Sequence, residues 1–400
     1  MAAAAGQPTG PRSLSLLVTC FFASGLAALI YQTAWTRQFA FVFGTSELAI
    51  ATVLAAYMGG LAMGAAIAAR WATRFRRPVL VYGLLELGIA ITALAVPFGI
   101  QAARALYVIS FGNDPGPAAE GGMATALFYL SASFLILLLP TSLMGATLPL
   151  LARHAVRSDR EIGSHVGLLY AFNTAGAVVG TLLTGFVLLP TFGLDRTIWI
   201  AIAANAGVFA IAALLARRVP VLSRSADARR DPLRRQSPGR WILPLILASG
   251  AASFAYEVLW SRLLGHILGG STYAFSTMLG TFLSGIALGS WLASRAATTP
   301  ERSVRLFAWA QLGTGLLFLL AFHLVNRLPA VSQSLASWNA SSLLLDAMIC
   351  AIVLLPGALC IGATFPLAVR ILTRQAVRTG EGTGTVYSWN TGGAILGAVG

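Results

Sequence analysis

The chain has 400 residues, a net charge of +14 and an apolar composition, with 57% hydrophobic and only 10% charged residues. Soluble domains carry about 25% charged residues, so this balance excludes an ordinary soluble protein. All 27 basic residues are arginines, and most lie in short segments between apolar runs. That distribution is typical of membrane topology signals rather than of a nucleic-acid-binding groove. We therefore expect the lipid bilayer as a partner and no nucleic acid.

About eleven segments are apolar over roughly 20 residues, which is long enough to cross a bilayer as a helix. In chain order, we predict spans at about 14–36, 47–69, 79–101, 123–152, 164–190, 195–216, 241–265, 271–294, 306–327, 343–369 and 382–400. Residues 217–240 break this pattern with eight arginines among Ser, Pro and Asp. The sequence thus predicts an all-α polytopic membrane protein, with a first membrane repeat at 1–216, a basic cytoplasmic linker at 217–240 and a second membrane repeat at 241–400.

The evidence for a repeat is internal. Residues 24–37 return as 249–262 at an offset of 225, with Ser, Gly, Ala, Tyr, Trp and Arg in the same places. Two further blocks return at an offset of 217: 144–150 as 361–367, and 170–180 as 387–397. Glycines spaced four apart recur as well, and such spacing lets helices approach closely; they are Gly60/Gly64 with Gly285/Gly289 and Gly176/Gly180 with Gly393/Gly397.

An even number of spans per half makes the repeats parallel. Six spans bring both halves into the membrane in the same sense, related by an axis along the membrane normal, as in major-facilitator transporters. The second half holds only five predicted spans, so we expect it to be truncated. With the N-terminus in the cytoplasm, 22 arginines lie inside and five outside. That bias predicts a cytoplasmic N-terminus.

Two carboxylates fall inside predicted spans, Glu86 and Glu257. A charge at the bilayer centre costs at least ~2.5 kcal/mol on insertion scales, so each is a candidate functional residue. At the offset of 225, Glu86 is equivalent to Gln311, and Gln32 is equivalent to Glu257. Each half therefore carries one Glu and one Gln at these two positions, in exchanged order.

The carboxylates have a second interpretation, because Glu257 could instead pair with Arg262 or Arg37 and only fix the outer end of its helix. The neighbouring aromatic residues, which include Tyr31 and Tyr256, are likewise ambiguous. Aromatic side chains at a membrane boundary usually form an interfacial belt, but beside a carboxylate they also suit an organic cation.

Two other repeated features are open to both structural and functional interpretations. Asn173 and Asn390 are equivalent amides within apolar helices, where they serve either as interhelical contacts or as ligands. Pro149 and Pro366 are equivalent prolines that free backbone carbonyls and kink their helices. We expect the kinks to shape helix packing.

No sequence motif supports catalysis. The chain has no GxSxG, HExxH, CxxC or Walker A pattern, and its histidines and cysteines lack ligand spacing. We accordingly predict no catalytic residue, no metal site and no cofactor.

Three repeated blocks carry a family resemblance: Tyr-Glu-x-x-Trp-x-Arg at 256–262, Gly-Ala-Thr-Phe-Pro at 362–366 and Tyr-x-x-Asn-Thr-x-Gly-Ala at 387–394. They resemble the membrane domain of bacterial fused spermidine synthase-like (polyamine aminopropyltransferase-like) proteins. The resemblance implies a bacterial inner membrane, a link to polyamines or other amines, and a downstream cytoplasmic synthase domain with no counterpart in these residues. Aminopropyltransferase activity would belong only to that missing domain.

The sequence therefore predicts a transporter-like membrane domain that binds or moves a small cationic amine. The alternative is a non-transporting anchor for a cytoplasmic aminopropyltransferase domain. The candidate substrate-binding residues are Glu86, Glu257, Gln32, Gln311, Tyr31, Tyr256, Asn173 and Asn390.

Overall fold

The computed structural model describes residues 11–44, 47–111, 122–219, 239–268, 271–324, 327 and 342–399. Within these residues the chain forms eleven α-helices and no strand. They are α1 (Pro11–Phe43), α2 (Glu47–Trp71), α3 (Pro78–Phe111), α4 (Gly122–Ala155), α5 (Ile162–Leu183), α6 (Leu189–Arg218), α7 (Ile242–Leu268), α8 (Thr272–Ala296), α9 (Pro300–Leu324), α10 (Ser342–Leu372) and α11 (Thr379–Val399).

Ten of the eleven described helices, all except α11, are long and apolar enough for a membrane, which confirms the predicted all-α polytopic architecture. Nine described segments have the length and hydropathy of a membrane span, and one of them, 60 residues long, contains both α5 and α6. Their outer faces are apolar: Phe98 and Trp309, for example, are 72% and 71% exposed. Large exposed apolar side chains are expected where lipid is the solvent.

The predicted spans correspond to the helices, several of which extend beyond the predicted ends. α4 and α10 run through their prolines, as their predicted spans did, so that Pro149 and Pro366 lie within continuous helix. The boundary between α5 and α6 is a π-helical turn at Thr184–Leu188, followed by a break at Gly193, whose φ of 71° lies in the left-handed region that glycine tolerates. Most of the predicted linker, 220–238, lies outside the described residues.

The repeated glycines are the contact points between helices, as predicted. A Cβ at Gly64 on α2 would lie 1.8 Å from the carbonyl oxygen of Ser142, and one at Gly289 on α8 would lie 1.9 Å from that of Leu359. Those carbonyls are themselves equivalent at the offset of 217. Each half thus packs its second helix against the helix of the second repeated block through backbone-to-backbone contact, which only glycine permits.

Each half also lends one helix to the other. α5 packs along α8, and α11 packs along α2. Glycine again allows the approach: a Cβ at Gly163 would lie 2.5 Å from the carbonyl oxygen of Ala297, and one at Gly384 would lie 2.7 Å from that of Ala65. These exchanged contacts fit a pseudo-twofold relation between the halves.

A neighbouring helix bonds the backbone carbonyl that Pro366 leaves without a donor in α10. Pro366 has no backbone N–H to donate to Gly362, four residues earlier. The Ser290 hydroxyl on α8 donates to that Gly362 carbonyl at 2.7 Å instead. The equivalent of Ser290 in the first half is Ala65, which has no hydroxyl, so this contact exists in one half only.

The two halves share a core at one end of the bundle only. Near the α4–α5 and α10–α11 connections, one apolar cluster joins both halves and includes Leu151, Val166, Ile246 and Phe365. Toward the other end each half has its own cluster, one around Trp35 and one around Trp260. A cavity lies between the halves where the shared core ends.

Candidate functional site

A cavity of about 220 Å³ separates the two halves in the middle of the bundle. Helices from both halves line it. Its polar lining consists of hydroxyl, amide and carboxylate groups. The members discussed below are Ser24, Gln32, Tyr57, Tyr170, Asn173, Asn205, Glu257, Tyr387 and Asn390. Four of the eight predicted site residues are in this lining: Gln32, Asn173, Glu257 and Asn390.

Glu257 is the formally charged side chain of the cavity wall, since no arginine, aspartate or histidine occurs among the lining residues. It is half-buried. Among the described residues it forms no ion pair, and Arg37 instead donates to the Thr272 hydroxyl across the two halves. The alternative of a pair with Arg37 or Arg262 therefore does not hold for the described part of the chain. The carboxylate is available to the cavity.

The two equivalent asparagines sit at equivalent helix contacts. Asn173 Nδ2 donates to the Phe21 carbonyl at 3.0 Å. A Cβ at Gly25 would lie 2.0 Å from the Asn173 carbonyl oxygen, and one at Gly250 would lie 2.0 Å from that of Asn390. Both asparagines also line the cavity. Asn173 thus forms an interhelical hydrogen bond and also lies in the cavity wall, so a structural contact and a position open to a ligand are found in the same residue.

Glu86 occupies a separate place behind the cavity wall. Its side chain is fully buried, and it is not among the lining residues. Ser24 Oγ donates to Glu86 Oε1 at 2.6 Å, and Asn205 Nδ2 donates to Glu86 Oε2. Both donors do line the cavity, so the carboxylate lies one side chain away from it.

The equivalent position in the second half keeps the same geometry with a neutral group. Ser249 Oγ donates to Gln311 Oε1 at 3.4 Å, over the same separation of 62 residues that joins Ser24 to Glu86. Gln311 is half-buried and is not part of the cavity lining. The predicted exchange of Glu and Gln thus places one carboxylate inside the cavity and the other behind its wall.

The predicted aromatic residues pack inside each half. Tyr31 and Trp35 are 0% and 1% exposed and stack at 4.9 Å, while Trp260 is 1% exposed. Tyr256 stacks on Phe318 at 4.4 Å. Residues this buried do not form a belt at the membrane surface, and none of them lines the cavity.

The cavity is lined instead by three other tyrosines, Tyr57, Tyr170 and Tyr387, together with Phe21 and Phe254. Tyr57 Oη donates to the Ala28 carbonyl at 3.2 Å. The Tyr170 ring lies 4.4 Å from that of Phe365, which in turn lies 6.0 Å from the Tyr387 ring. Tyr170 and Tyr387 are equivalent in the repeat, so the sequence could have identified them as candidate site residues. Tyr57 has no equivalent tyrosine in the second half.

The described residues contain no group of three or more His, Cys, Asp or Glu side chains that could hold a metal ion. The cavity in particular contributes a single carboxylate and no imidazole or thiol. Its chemistry is that of hydrogen bonds, aromatic faces and one negative charge.

No family model and no curated protein matches the sequence. Solved structures do. A bacterial homologue of the iron transporter ferroportin in an outward-facing state has a TM-score of 0.55 at 16% identity, covering 96% of this chain and 90% of that chain. The human organic anion transporter MFSD10 (TETRAN) has a TM-score of 0.54 at 16% identity, covering 98% and 93%. The fold is thus like that of these major-facilitator-type structures. At such identities the likeness concerns the fold alone, and the chain is accordingly a multi-pass membrane protein with this fold.

Proposed function

We propose that the chain binds and moves a small organic cation of the amine class through its central cavity. The observation that carries this proposal is the lone charge of the cavity wall: Glu257 is half-buried, lacks an ion pair among the described residues and faces the space between the halves. An unpaired carboxylate in a poorly hydrated site favours a cationic partner. Tyr57, Tyr170 and Tyr387 add aromatic faces suited to an ammonium group.

The cargo named for the similar structures suits this cavity less well. One of those proteins is an organic anion transporter, yet the present cavity wall offers no arginine or histidine to an anion. Another is a homologue of an iron transporter, yet a single carboxylate without His or Cys makes a poor site for a transition metal. An amine needs one counter-charge and several hydrogen-bond acceptors, which Glu257, Gln32 and the two asparagines supply.

The resemblance to spermidine synthase-like membrane domains is the reason to begin with polyamines. It also supports a bacterial inner-membrane location, and the arginine distribution supports a cytoplasmic N-terminus. The same resemblance favours a second candidate, a membrane anchor that positions a downstream cytoplasmic synthase domain. A cavity with an unpaired carboxylate has no purpose in a plain anchor, so ligand binding separates the two candidates.

Equilibrium binding of labelled spermidine to the purified chain in proteoliposomes tests the proposal. We expect Glu257→Gln to weaken binding about tenfold or more, because a charge-assisted hydrogen bond contributes about 1.5–3 kcal/mol. The matched control is Glu301→Gln, since Glu301 is an exposed acid in the first turn of α9. Equal binding by wild type and Glu257→Gln, or no binding to the wild type, would overturn the proposal and favour the anchor.

A further inference from the structure

Glu86 is an acidic residue whose side chain does not line the cavity. It is fully buried at the contact of α1, α3 and α6. Its two hydrogen bonds come from a hydroxyl and a carboxamide, both neutral donors. No described arginine or histidine forms an ion pair with it. An ionised carboxylate in such a place would be a buried charge without a counter-ion, an arrangement that proteins avoid.

The neighbours of Glu86 can match a protonated as well as an ionised carboxyl group. Asn205 Nδ2 donates to Glu86, and a flip that exchanges the amide O and N lets the Asn205 oxygen accept from the O–H of the acid instead. Tyr82 Oη is buried and has no hydrogen-bond partner among the described residues, and a phenolic hydroxyl can pair with either form because it both donates and accepts. A bound proton would therefore remove the buried charge without leaving its own O–H unpaired.

The internal repeat supplies the neutral counterpart of this site. At the equivalent position Gln311 meets Ser249 as Glu86 meets Ser24. A glutamine side chain presents one oxygen acceptor and a donor group, as does a protonated glutamate. The same local geometry thus accommodates a neutral side chain in the second half.

The other titratable groups near Glu86 are weak acids. Cys20 and Tyr31 on α1 and Tyr82 one turn earlier on α3 are its titratable neighbours. Asp195, Arg196, Arg217 and Arg218 of α6 lie toward the ends of that helix, and Arg153 and His154 lie in the last turn of α4. None of the basic groups named here forms an ion pair with Glu86.

We propose that Glu86 is a proton-binding site on the wall of the central cavity, with Ser24 and Asn205 as the groups that separate the bound proton from the cavity. Ser24 and Asn205 contact both Glu86 and the cavity. Rotation of either side chain opens a path of one hydrogen bond between the carboxyl group and the cavity. The site takes a proton whatever the cavity carries, so it does not depend on an amine substrate.

Infrared difference spectroscopy of the full chain in lipid, between acidic and alkaline pH, tests this proposal without any added amine. All 13 acidic residues of the chain give a carboxylic acid carbonyl band in acid, so we expect Glu86→Gln to remove one component of the wild-type band, that of a buried acid, and to leave the rest. The matched control Glu257→Gln carries the same substitution at the exchanged position and keeps the Glu86 band. Ser24→Ala retains the acid and moves its band to higher frequency, because one hydrogen bond is lost.

The outcomes separate the proposals. A carbonyl band that Glu86→Gln leaves unchanged, or one in which Ser24→Ala shifts no component, would overturn the proton site. Gel filtration of each variant shows whether it is folded; if Glu86→Gln does not fold, the Ser24→Ala shift decides. Loss of amine binding in the earlier experiment leaves this result unaffected, so either proposal can fail alone.

Discussion

The two halves of the bundle share their backbone packing and differ in their charges. Gly64 and Gly289 pack against equivalent carbonyl oxygens of the neighbouring helix. A Cβ at these positions would lie 1.8 and 1.9 Å from those oxygens. By contrast, the acid of the first half, Glu86, is buried behind the cavity wall, and that of the second half, Glu257, is in the cavity lining. Backbone contacts tolerate no added atom, whereas a buried side chain can change between Glu and Gln at nearly constant volume.

The two halves therefore have the same helix packing and different chemistry at the cavity. Equivalent glycines keep the packing alike in both halves, so that two similar cavity walls face each other. The exchange of Glu and Gln makes the charge of the two walls different, because one carboxylate lines the cavity and the other is enclosed by neutral hydrogen-bond donors. A cavity that binds one asymmetric ligand needs such a difference between its sides.

Alanine at the paired glycines gives the largest expected effect. Gly64→Ala and Gly289→Ala each place a Cβ within 2 Å of a carbonyl carried by the neighbouring helix. We expect each to lower stability by at least ~1–3 kcal/mol, the usual cost of overpacking. The measurement is the midpoint of thermal unfolding in detergent, followed by tryptophan fluorescence.

The controls for this experiment are lipid-facing glycines. A Cβ at Gly207 or Gly315 meets nothing within 4 Å, so Gly207→Ala and Gly315→Ala should gain ~0.5–1 kcal/mol from helix propensity. If alanine at Gly64 and Gly289 behaved like alanine at these controls, the helices would not be in backbone contact there.

Restoring the acid to the second half gives the next largest effect. Gln311→Glu places a carboxylate against Ser249, with no described counterpart of Asn205. We expect a loss of ~2.5 kcal/mol at neutral pH, the insertion cost of a charge in the membrane, and recovery in acid, where the carboxyl group is neutral. Unfolding midpoints at several pH values measure this. The matched control Gln375→Glu lies in the α10–α11 connection and should show no such cost.

Much of the fold follows from the sequence, because the fold depends on apolar length and on repeated small residues. The all-α polytopic architecture and the Gly60/Gly64 type of helix contact were predicted and are confirmed. The parallel arrangement of the halves stays a prediction. α4 and α10 are helical through Pro149 and Pro366, as the predicted spans 123–152 and 343–369 required. The hydrogen bond that compensates for Pro366 was not predicted. In α10 the Ser290 hydroxyl of the neighbouring helix bonds the Gly362 carbonyl that Pro366 leaves without a donor, and no local sequence pattern predicts that contact.

The candidate site is only partly predictable for a related reason. Glu257, Gln32, Asn173 and Asn390 were chosen for their polarity within apolar spans, and they line the cavity. Tyr31 and Tyr256 were chosen by proximity in sequence, and they face the interior of their own halves. Which side of a helix faces the other half depends on packing between helices distant in sequence, as does the contact of Asn205 with Glu86, 119 residues earlier.

Loss of the Ser290 hydroxyl, which donates to the carbonyl that Pro366 leaves without a partner, gives a smaller effect on stability. Ser290→Ala leaves the Gly362 carbonyl without its 2.7 Å donor in a buried place, at a cost of ~1–3 kcal/mol. The control Ser284→Ala removes a hydroxyl on the same helix that donates to Gly280 within its own helix, and it should be nearly neutral. Equal unfolding midpoints for the two variants would show that the hydrogen bond from α8 does not stabilise α10 at Pro366. Because Ala65 stands at the equivalent place, this dependence is expected in the second half alone.

The smallest effect concerns the end where the halves share a core. Asp159 Oδ1, in the α4–α5 connection, accepts from the Ala376 N–H at 2.7 Å in the α10–α11 connection, and Arg153 Nη1 donates to the Val377 carbonyl at 3.0 Å. Asp159 is exposed, so we expect Asp159→Ala to cost only ~1 kcal/mol. That equals about a fivefold faster hydrogen exchange at the Ala376 amide, read by mass spectrometry. Asp159→Asn keeps an acceptor oxygen and should exchange nearly as slowly as the wild type. Unchanged exchange in Asp159→Ala would mean that the apolar core shared by the halves holds this end closed without the two polar contacts.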